Sequence, residues 1–384
     1  MGDIQPVMKA AKYVVLYVLL LQFLLPYIVP TDVLYRYRIN YPIFQNNVND
    51  YYVVLQQIKL EIEREKLRDY VIILGDSVAF SSPGDSQNAI NKYMEDFARE
   101  SGQPPVRMFN LSMPAMQTGD LYTLLLMLDE FGISTDRLML NVRYSGFTAR
   151  NPDPPAVFWL ADSLQRLDKP SFERFKNQLE INGKYKEEPN WVLKLHPFLA
   201  NHVLTHISLF RYKDVIFQEG KLLYARYVKG EQEQSDAIGD PRSWREKEGL
   251  RGFLEKPEYL NGFNPQPFDM TENNPDVYFW NRIIDHQQGA KTLVFLTGVN
   301  EELMKPEFEK PGYADNLRTI DAFFAAKPVG YVNLQGHIDE KLFTDHTHYT
   351  GEGYKELARL VWDKWQSMDR TSSGSGGASS KEAK

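Results

Sequence analysis

The chain has 384 residues, 43% of them hydrophobic and 25% charged, enough to close a sizeable core in one large domain or two modest ones. A net charge of −7 argues against a nucleic-acid binder, which carries a basic patch. The absence of cysteine excludes disulfides, thiolate metal sites and cysteine nucleophiles.

Tyr13 to Val29 is apolar apart from Gln22 and Pro26, close to the lower limit of about 17 residues for a membrane span. Lys9 and Lys12 precede it, as the positive-inside rule expects, although Arg36 and Arg38 follow it. Residues 1–34 are therefore expected to form a cytoplasmic tip and an uncleaved transmembrane anchor, with the rest outside the cytoplasm. A cleaved signal peptide is the rival, but no small-x-small site follows the apolar run. Residues 35–69 are expected to hold an extended juxtamembrane stretch, rich in Tyr, Asn and Pro to Tyr51, and a lead-in helix over Val54–Asp69.

Residues 70–148 alternate: strand Tyr70–Leu74, helix Ala89–Glu100, strand Val106–Leu111, helix Gly119–Phe131, strand Arg137–Val142. That rhythm implies a parallel sheet covered by helices. It stops over residues 149–274, which are expected to be an α-rich insertion. Trp191–Gln218 is expected to be helical, with Lys221–Val228 continuing that character, and Gln232–Glu248 is expected to be a mobile polar loop. Residues 275–368 resume with helix Val277–Gln288 closed by Gly289, strand Lys291–Leu296, helix Tyr313–Ala326, strand Gly330–Leu334 and helix Gly353–Gln366. Residues 369–384 are expected to be a disordered tail. The expected fold is a three-layer α/β/α sandwich with a parallel, flavodoxin-like sheet.

Ligands of an open parallel sheet collect beyond the carboxyl ends of its strands. Ser77 follows the first strand, in Val71-Ile72-Ile73-Leu74-Gly75-Asp76-Ser77, and Asp345-His346-Thr347-His348 precedes the last helix. A serine hydroxyl needs a base within hydrogen-bond reach and a carboxylate to fix that base's tautomer. His348 would be the base and Asp345 the orienting acid. The backbone N–H of Ser77 and one in the Pro114-Ala115 turn could receive an oxyanion. Each piece alone also fits a capped turn or a helix cap with a surface histidine.

Ile73-Leu74-Gly75-Asp76-Ser77 resembles the first sequence block of the SGNH (GDSL-type) hydrolases, and Asp345-His346-Thr347-His348-Tyr349-Thr350-Gly351-Glu352-Gly353-Tyr354 resembles their last. The resemblance implies Ser77 as nucleophile, Asp345 as acid and His348 as base. The second block, Asn110-Leu111-Ser112-Met113-Pro114-Ala115, has Ala115 where the family has an oxyanion-hole glycine. The third is replaced by Leu140-Asn141-Val142-Arg143-Tyr144-Ser145, so the resemblance offers Asn141 as a further oxyanion donor. The anchor and insertion are similar to the membrane-anchored branch that works beside a membrane-bound O-acyltransferase, such as the D-alanyl transfer protein and the polysaccharide O-acetyltransferases.

That resemblance implies an extracytoplasmic acyltransferase moving a small acyl group through acyl-Ser77 onto a glycan or teichoic acid. Two alternatives stay open: a carbohydrate O-acetylesterase using the same site, and a weakly active scaffold subunit of a membrane acyltransferase complex. No cofactor or metal is expected. His202 and His206 are four residues apart but lack a nearby third ligand, and His196 adds none. Arg143 and Arg150 could meet an anionic glycan or phosphate, or form surface ion pairs, and His346 could touch substrate. Trp159, Trp191 and Trp280 could stack on sugars or pack in the core. The apolar run Leu193–Phe210 could dock on a membrane partner or close the insertion's own core.

Overall fold

A computed structural model describes residues 5–29, 31–45, 51–150, 153–187, 207–230 and 236–374. Two compact units emerge: residues 67–185 with 236–384, and residues 1–66 with 186–235.

The larger unit is α/β, with a five-stranded parallel sheet. Its strands are β1 (Val71–Leu74), β2 (Met108–Asn110), β3 (Arg137–Val142), β4 (Lys291–Leu296) and β5 (Gly330–Asn333). The order is β2-β1-β3-β4-β5, every neighbouring pair parallel. β1 is buried along its whole length, and β3 and β4 at all but their first residue. Their largely apolar runs, broken inside only by Asn141 and Thr292, are what a sheet covered on both faces requires. The helices α1 (Ile90–Glu100), α2 (Thr118–Phe131), α3 (Pro275–His286), α4 (Tyr313–Ala325) and α5 (Gly351–Gly374) do the covering. α1 packs on α5, and α2 on α3. Right-handed crossovers send β1-α1-β2 one way along the sheet and β2-α2-β3 the other, which puts α1 and α2 on opposite faces of a three-layer arrangement. The strand order reverses beside β1 and β3, and their carboxyl ends open the crevice where such sheets bind ligands.

Part of the insertion is fastened to this unit through one carboxylate. Asp120 of α2 is fully buried. It accepts the backbone N–H groups of Gln117, Phe158, Trp159 and Leu160 at 2.8–2.9 Å. Four donors offset much of the desolvation cost of a buried carboxyl group. Trp159 Nε1 donates to the Pro114 carbonyl at 2.8 Å, and Trp280 is buried in the core, where its indole offers no platform for sugars.

The smaller unit contains helix Gln5–Ile28, a two-strand ribbon (Tyr35–Arg36 with Arg38–Ile39), helix Tyr51–Glu65 and helix Lys213–Val228. The two interruptions of the first helix are where it docks. Pro26 has no N–H for the Gln22 carbonyl, and Ser208 Oγ donates to that carbonyl instead, at 2.7 Å. The Gln22 side-chain oxygen accepts the Ser208 N–H at 2.6 Å, and Gln57 Nε2 donates to the Pro26 carbonyl at 2.8 Å. Tyr13, Val14, Leu16, Phe23 and Tyr27 are exposed on this helix, and Phe217, Leu222, Tyr224 and Tyr227 on Lys213–Val228.

Several expectations need correction. Among the described residues no helix is long and apolar enough to cross a membrane, and the expected transmembrane anchor is not found. The stretch after it is not simply extended: it holds the ribbon and a short helix, Tyr41–Phe44. Of Gln232–Glu248, the described part is tied down, since Ile238 and Gly84 exchange both backbone hydrogen bonds at 3.0 Å and Trp244 Nε1 donates to the Glu340 carbonyl at 2.9 Å. The last helix runs to Gly374, past the expected start of the tail, because Ser and Thr weaken a helix by only tenths of a kcal/mol each. The rest of the tail, Trp191, His196, His202, His206 and most of Leu193–Phe210 lie outside the described residues.

Candidate active site

Register shapes the turn that carries Ser77. Leu74 of β1 lies beside Leu140 of β3, so the next residues, Gly75 and Asp76, meet Asn141. Asn141 Oδ1 accepts the Asp76 N–H at 2.8 Å, and Asn141 Nδ2 donates to Asp76 Oδ1 at 3.0 Å. Only glycine fits at 75, because a Cβ there would collide with Asn141 Oδ1 and the Ala79 side chain. Asp76 Oδ1 also accepts the Val78 N–H at 2.9 Å, and Asp76 Oδ2 accepts Arg143 Nη1 at 3.1 Å. Asn110, at the end of β2, donates to the Ala79 carbonyl at 2.7 Å. Ser77 therefore sits on a turn held from three strands, its own N–H without a hydrogen-bond partner among the described residues.

The second half of the site is a loop after β5. Asp345 Oδ1 accepts the N–H groups of Thr347 (2.8 Å) and His348 (2.9 Å), and the Thr344 N–H donates to the His348 carbonyl at 2.8 Å. These bonds close a tight turn around one carboxylate. The loop is pinned to its surroundings by Asn300 N–H on the His346 carbonyl (2.9 Å) and Tyr349 O–H on the Gly298 carbonyl (3.1 Å). Tyr354 of α5 donates to the Ser82 carbonyl, which links this half to the turn that carries Ser77.

The two halves meet at hydrogen-bond distance. His348 Nδ1 lies 2.8 Å from Asp345 Oδ2, and His348 Nε2 lies 2.8 Å from Ser77 Oγ. An ionised carboxylate only accepts, so the proton of the neutral imidazole belongs on Nδ1. Nε2 is then free to accept the Ser77 hydroxyl proton. Burial pushes against charge on both partners, yet their mutual attraction wins. Asp345 is held far below the usual carboxylate range, and His348 is raised above the usual imidazole value.

Ser77 and His348 line a cleft of ≈ 290 Å³ together with Arg143, Arg150, Tyr259, Phe263, Gly298 and His346, among others. Of the residues proposed from sequence to bind substrate, Arg143 and His346 are thus in place at the cleft. Arg143 is already engaged, by Asp76 and by Gln117 Oε1 at 2.6 Å. His346 packs edge-on to Phe263 and Tyr259, with ring centroids 5.5 and 6.0 Å apart. Burial pushes its pKa down to about 4, so it is neutral near pH 7. Asn141 is not among the cleft-lining residues: its Oδ1 accepts the Asp76 N–H and one of its two amide N–H groups goes to Asp76 Oδ1. Ala115 does not line the cleft either. It adopts a left-handed φ of 65°, the conformation a glycine takes at no steric cost, and its N–H has no partner among the described residues. Gln117 Nε2 donates to its carbonyl at 3.0 Å, which couples that turn through Arg143 to Asp76.

Tyr259 and Phe263 escaped the sequence reading. They come from the insertion, where no periodicity marks them, and only the fold brings them to Ser77. Among the described residues no group of three or more His, Asp or Glu could hold a metal ion.

The electrostatics fix a pH dependence. Protonated His348 cannot accept the Ser77 proton, so labelling of Ser77 by a fluorophosphonate should fall as pH drops through the imidazole pKa, with a midpoint above about 6.5. Asp345→Asn removes the attraction that raises this pKa. The midpoint should move to lower pH, and the labelling rate at pH 8 should fall by about 10⁴-fold. An unchanged midpoint in the variant would mean that Asp345 does not govern His348. In sequence comparison, no family model matches this chain, and no curated protein is detectably similar to it.

Proposed function

We propose that the chain is a serine-dependent acyltransferase of the SGNH type that works outside the cytoplasm. It would move a small acyl group through acyl-Ser77 onto a cell-envelope polysaccharide or teichoic acid. The observation that carries this is the continuous relay Asp345–His348–Ser77 at the edge of the sheet, with bonds of 2.8 Å at both joints.

The chemistry follows from that relay. Ser77 Oγ attacks the acyl carbonyl of the donor while its proton passes to His348 Nε2. Asp345 steadies the imidazolium. The oxyanion of the tetrahedral intermediate takes the Ser77 N–H, with the Ala115 N–H as the second donor offered. Collapse expels the donor's leaving group with the proton from His348, and acyl-Ser77 remains. An acceptor hydroxyl then attacks, gives its proton to His348, and leaves as the ester when Ser77 regains that proton. Water in place of the acceptor would make the same site an esterase, the second reading.

The acceptor decides between the two. With a chromogenic acetate ester as donor, a transferase should release chromophore faster as a glycan or polyol acceptor is added, and acetylated acceptor should accumulate. Chromophore release at a rate indifferent to acceptor, with acetate as sole product, would favour the esterase.

The exposed apolar residues of helices Gln5–Ile28 and Lys213–Val228 support attachment to the membrane, beside an integral O-acyltransferase that supplies the acyl group. The full chain should be recovered in the membrane fraction together with a multi-span protein, and deletion of residues 1–28 should release it. Recovery of the full chain in the soluble fraction would remove this part of the proposal.

A further inference from the structure

The Asp345 carboxylate faces two imidazoles and treats them differently. Its Oδ2 lies 2.8 Å from His348 Nδ1, within the relay. Its Oδ1 lies 3.6 Å from His346 Nδ1, beyond hydrogen-bond reach. His346 Nδ1 is buried and has no hydrogen-bond partner among the described residues. A neutral imidazole carries its proton on one ring nitrogen. A proton on Nε2 would leave the Nδ1 lone pair facing a carboxylate, whereas a proton on Nδ1 turns an N–H towards it. Attraction at 3.6 Å selects the second tautomer and leaves Nε2 bare. Nε2 is not sealed off as Nδ1 is, and it makes no hydrogen bond among the described residues. The ring lines the cleft with Ser77 and packs edge-on to Phe263 and Tyr259. The Asn300 N–H fixes its backbone carbonyl. Other polar side chains of the cleft are already committed: Arg143 to Asp76 and Gln117, Arg150 to the Ser145 carbonyl, and Thr297 Oγ1 to the Val142 carbonyl.

We infer that His346 Nε2 accepts a hydrogen bond from a second hydroxyl of the acceptor, so that the cleft selects an uncharged diol or polyol unit. The inference rests on the acyltransferase proposal and names its substrate class. A bare imidazole nitrogen pairs with an O–H, but not with an ether or carboxylate oxygen, which only accept. A ligand with a single hydroxyl would cover the nitrogen and leave it unpaired, which is the costly case. Burial pushes the His346 pKa down to about 4 against the pull of Asp345, so this nitrogen stays an acceptor at the pH where His348 takes up and releases protons. The two histidines of one turn thus divide the work: His348 carries the proton, and His346 holds the molecule that gives it. A diol held at two points is also oriented for attack on acyl-Ser77 in a way that one water molecule is not, which favours transfer over hydrolysis.

The test reads the nitrogen itself. Full-length chain carrying Ser77→Ala, isotope-labelled in its imidazole nitrogens, is followed by NMR while cis-cyclohexane-1,2-diol, cis-cyclohexane-1,3-diol or cyclohexanol is added. The chain has seven histidines, and the His346 signals are those missing from the His346→Phe spectrum. Nε2 of His346 should resonate as an unprotonated nitrogen and shift as a diol binds. At least one diol should bind about fivefold or more tightly than cyclohexanol, the worth of one neutral hydrogen bond. His346→Phe, which keeps a ring against Phe263 and Tyr259, should erase that preference, with the fold checked by circular dichroism. His346→Gln, whose amide oxygen can stand in for Nε2, should restore part of it. A protonated Nε2, equal affinities for all three probes, or a diol preference that survives His346→Phe would overturn the inference. Because no acyl transfer is read, a chain that prefers diols but never forms acyl-Ser77 would keep this recognition and lose the enzymatic proposal, and the converse result would do the reverse.

Discussion

The site depends on the carboxylate of Asp76, which touches no reacting atom. It binds the N–H of Val78 within its own turn, the Asn141 amide at the end of β3, and the Arg143 guanidinium just beyond. Those three contacts fix the path of the chain as it leaves β1, and Ser77 is the next residue along that path. With the turn fixed, the Ser77 hydroxyl need not search for His348, and its N–H is left without a hydrogen-bond partner among the described residues. Preorganisation of this kind lets a weak nucleophile work, because positioning costs nothing at the moment of reaction. Gly75 is part of the same constraint, since its missing side chain is the space that the Asn141 amide fills.

Much of this architecture was legible in the sequence, for a physical reason. β3 and β4 span the residues expected, Arg137–Val142 and Lys291–Leu296, because strands covered on both faces must be continuously apolar and their ends are where polarity returns. β2 is shorter than the expected Val106–Leu111, although the Arg107 carbonyl and the Leu111 N–H on either side of it still bond to β1. Ser77, Asp345 and His348 stood out because their chemistry is specific and each falls at a strand or helix boundary. What sequence could not supply was the partner of each polar group. The sequence offered Asn141 only as an oxyanion donor, and the pairing of Leu74 with Leu140 is what brings its amide to Asp76. The stretch after residue 235 read as mobile because it is polar, but the Gly84–Ile238 bridge is a long-range pairing that composition cannot reveal.

The insertion changes meaning once the fold is known. Its described parts in the larger unit give the cleft a wall, through Tyr259 and Phe263, and a charge, through Arg150. A bare relay would accept any activated ester. The aromatic rings of Tyr259 and Phe263 and the Arg150 guanidinium give the cleft its own lining, and they come from residues that interrupt the strand–helix rhythm. The cleft wall thus comes in part from the stretch that periodicity could not organise, while Ser77, Asp345 and His348 come from the stretches it could.

Intact-mass measurement after brief exposure to an activated acetyl donor tests the central claim most directly. A single added acetyl group, mapped to Ser77 by fragmentation and absent from the His348→Ala chain, is the predicted result. Acetylation elsewhere, or on Ser77 to the same extent without the imidazole, would contradict the account.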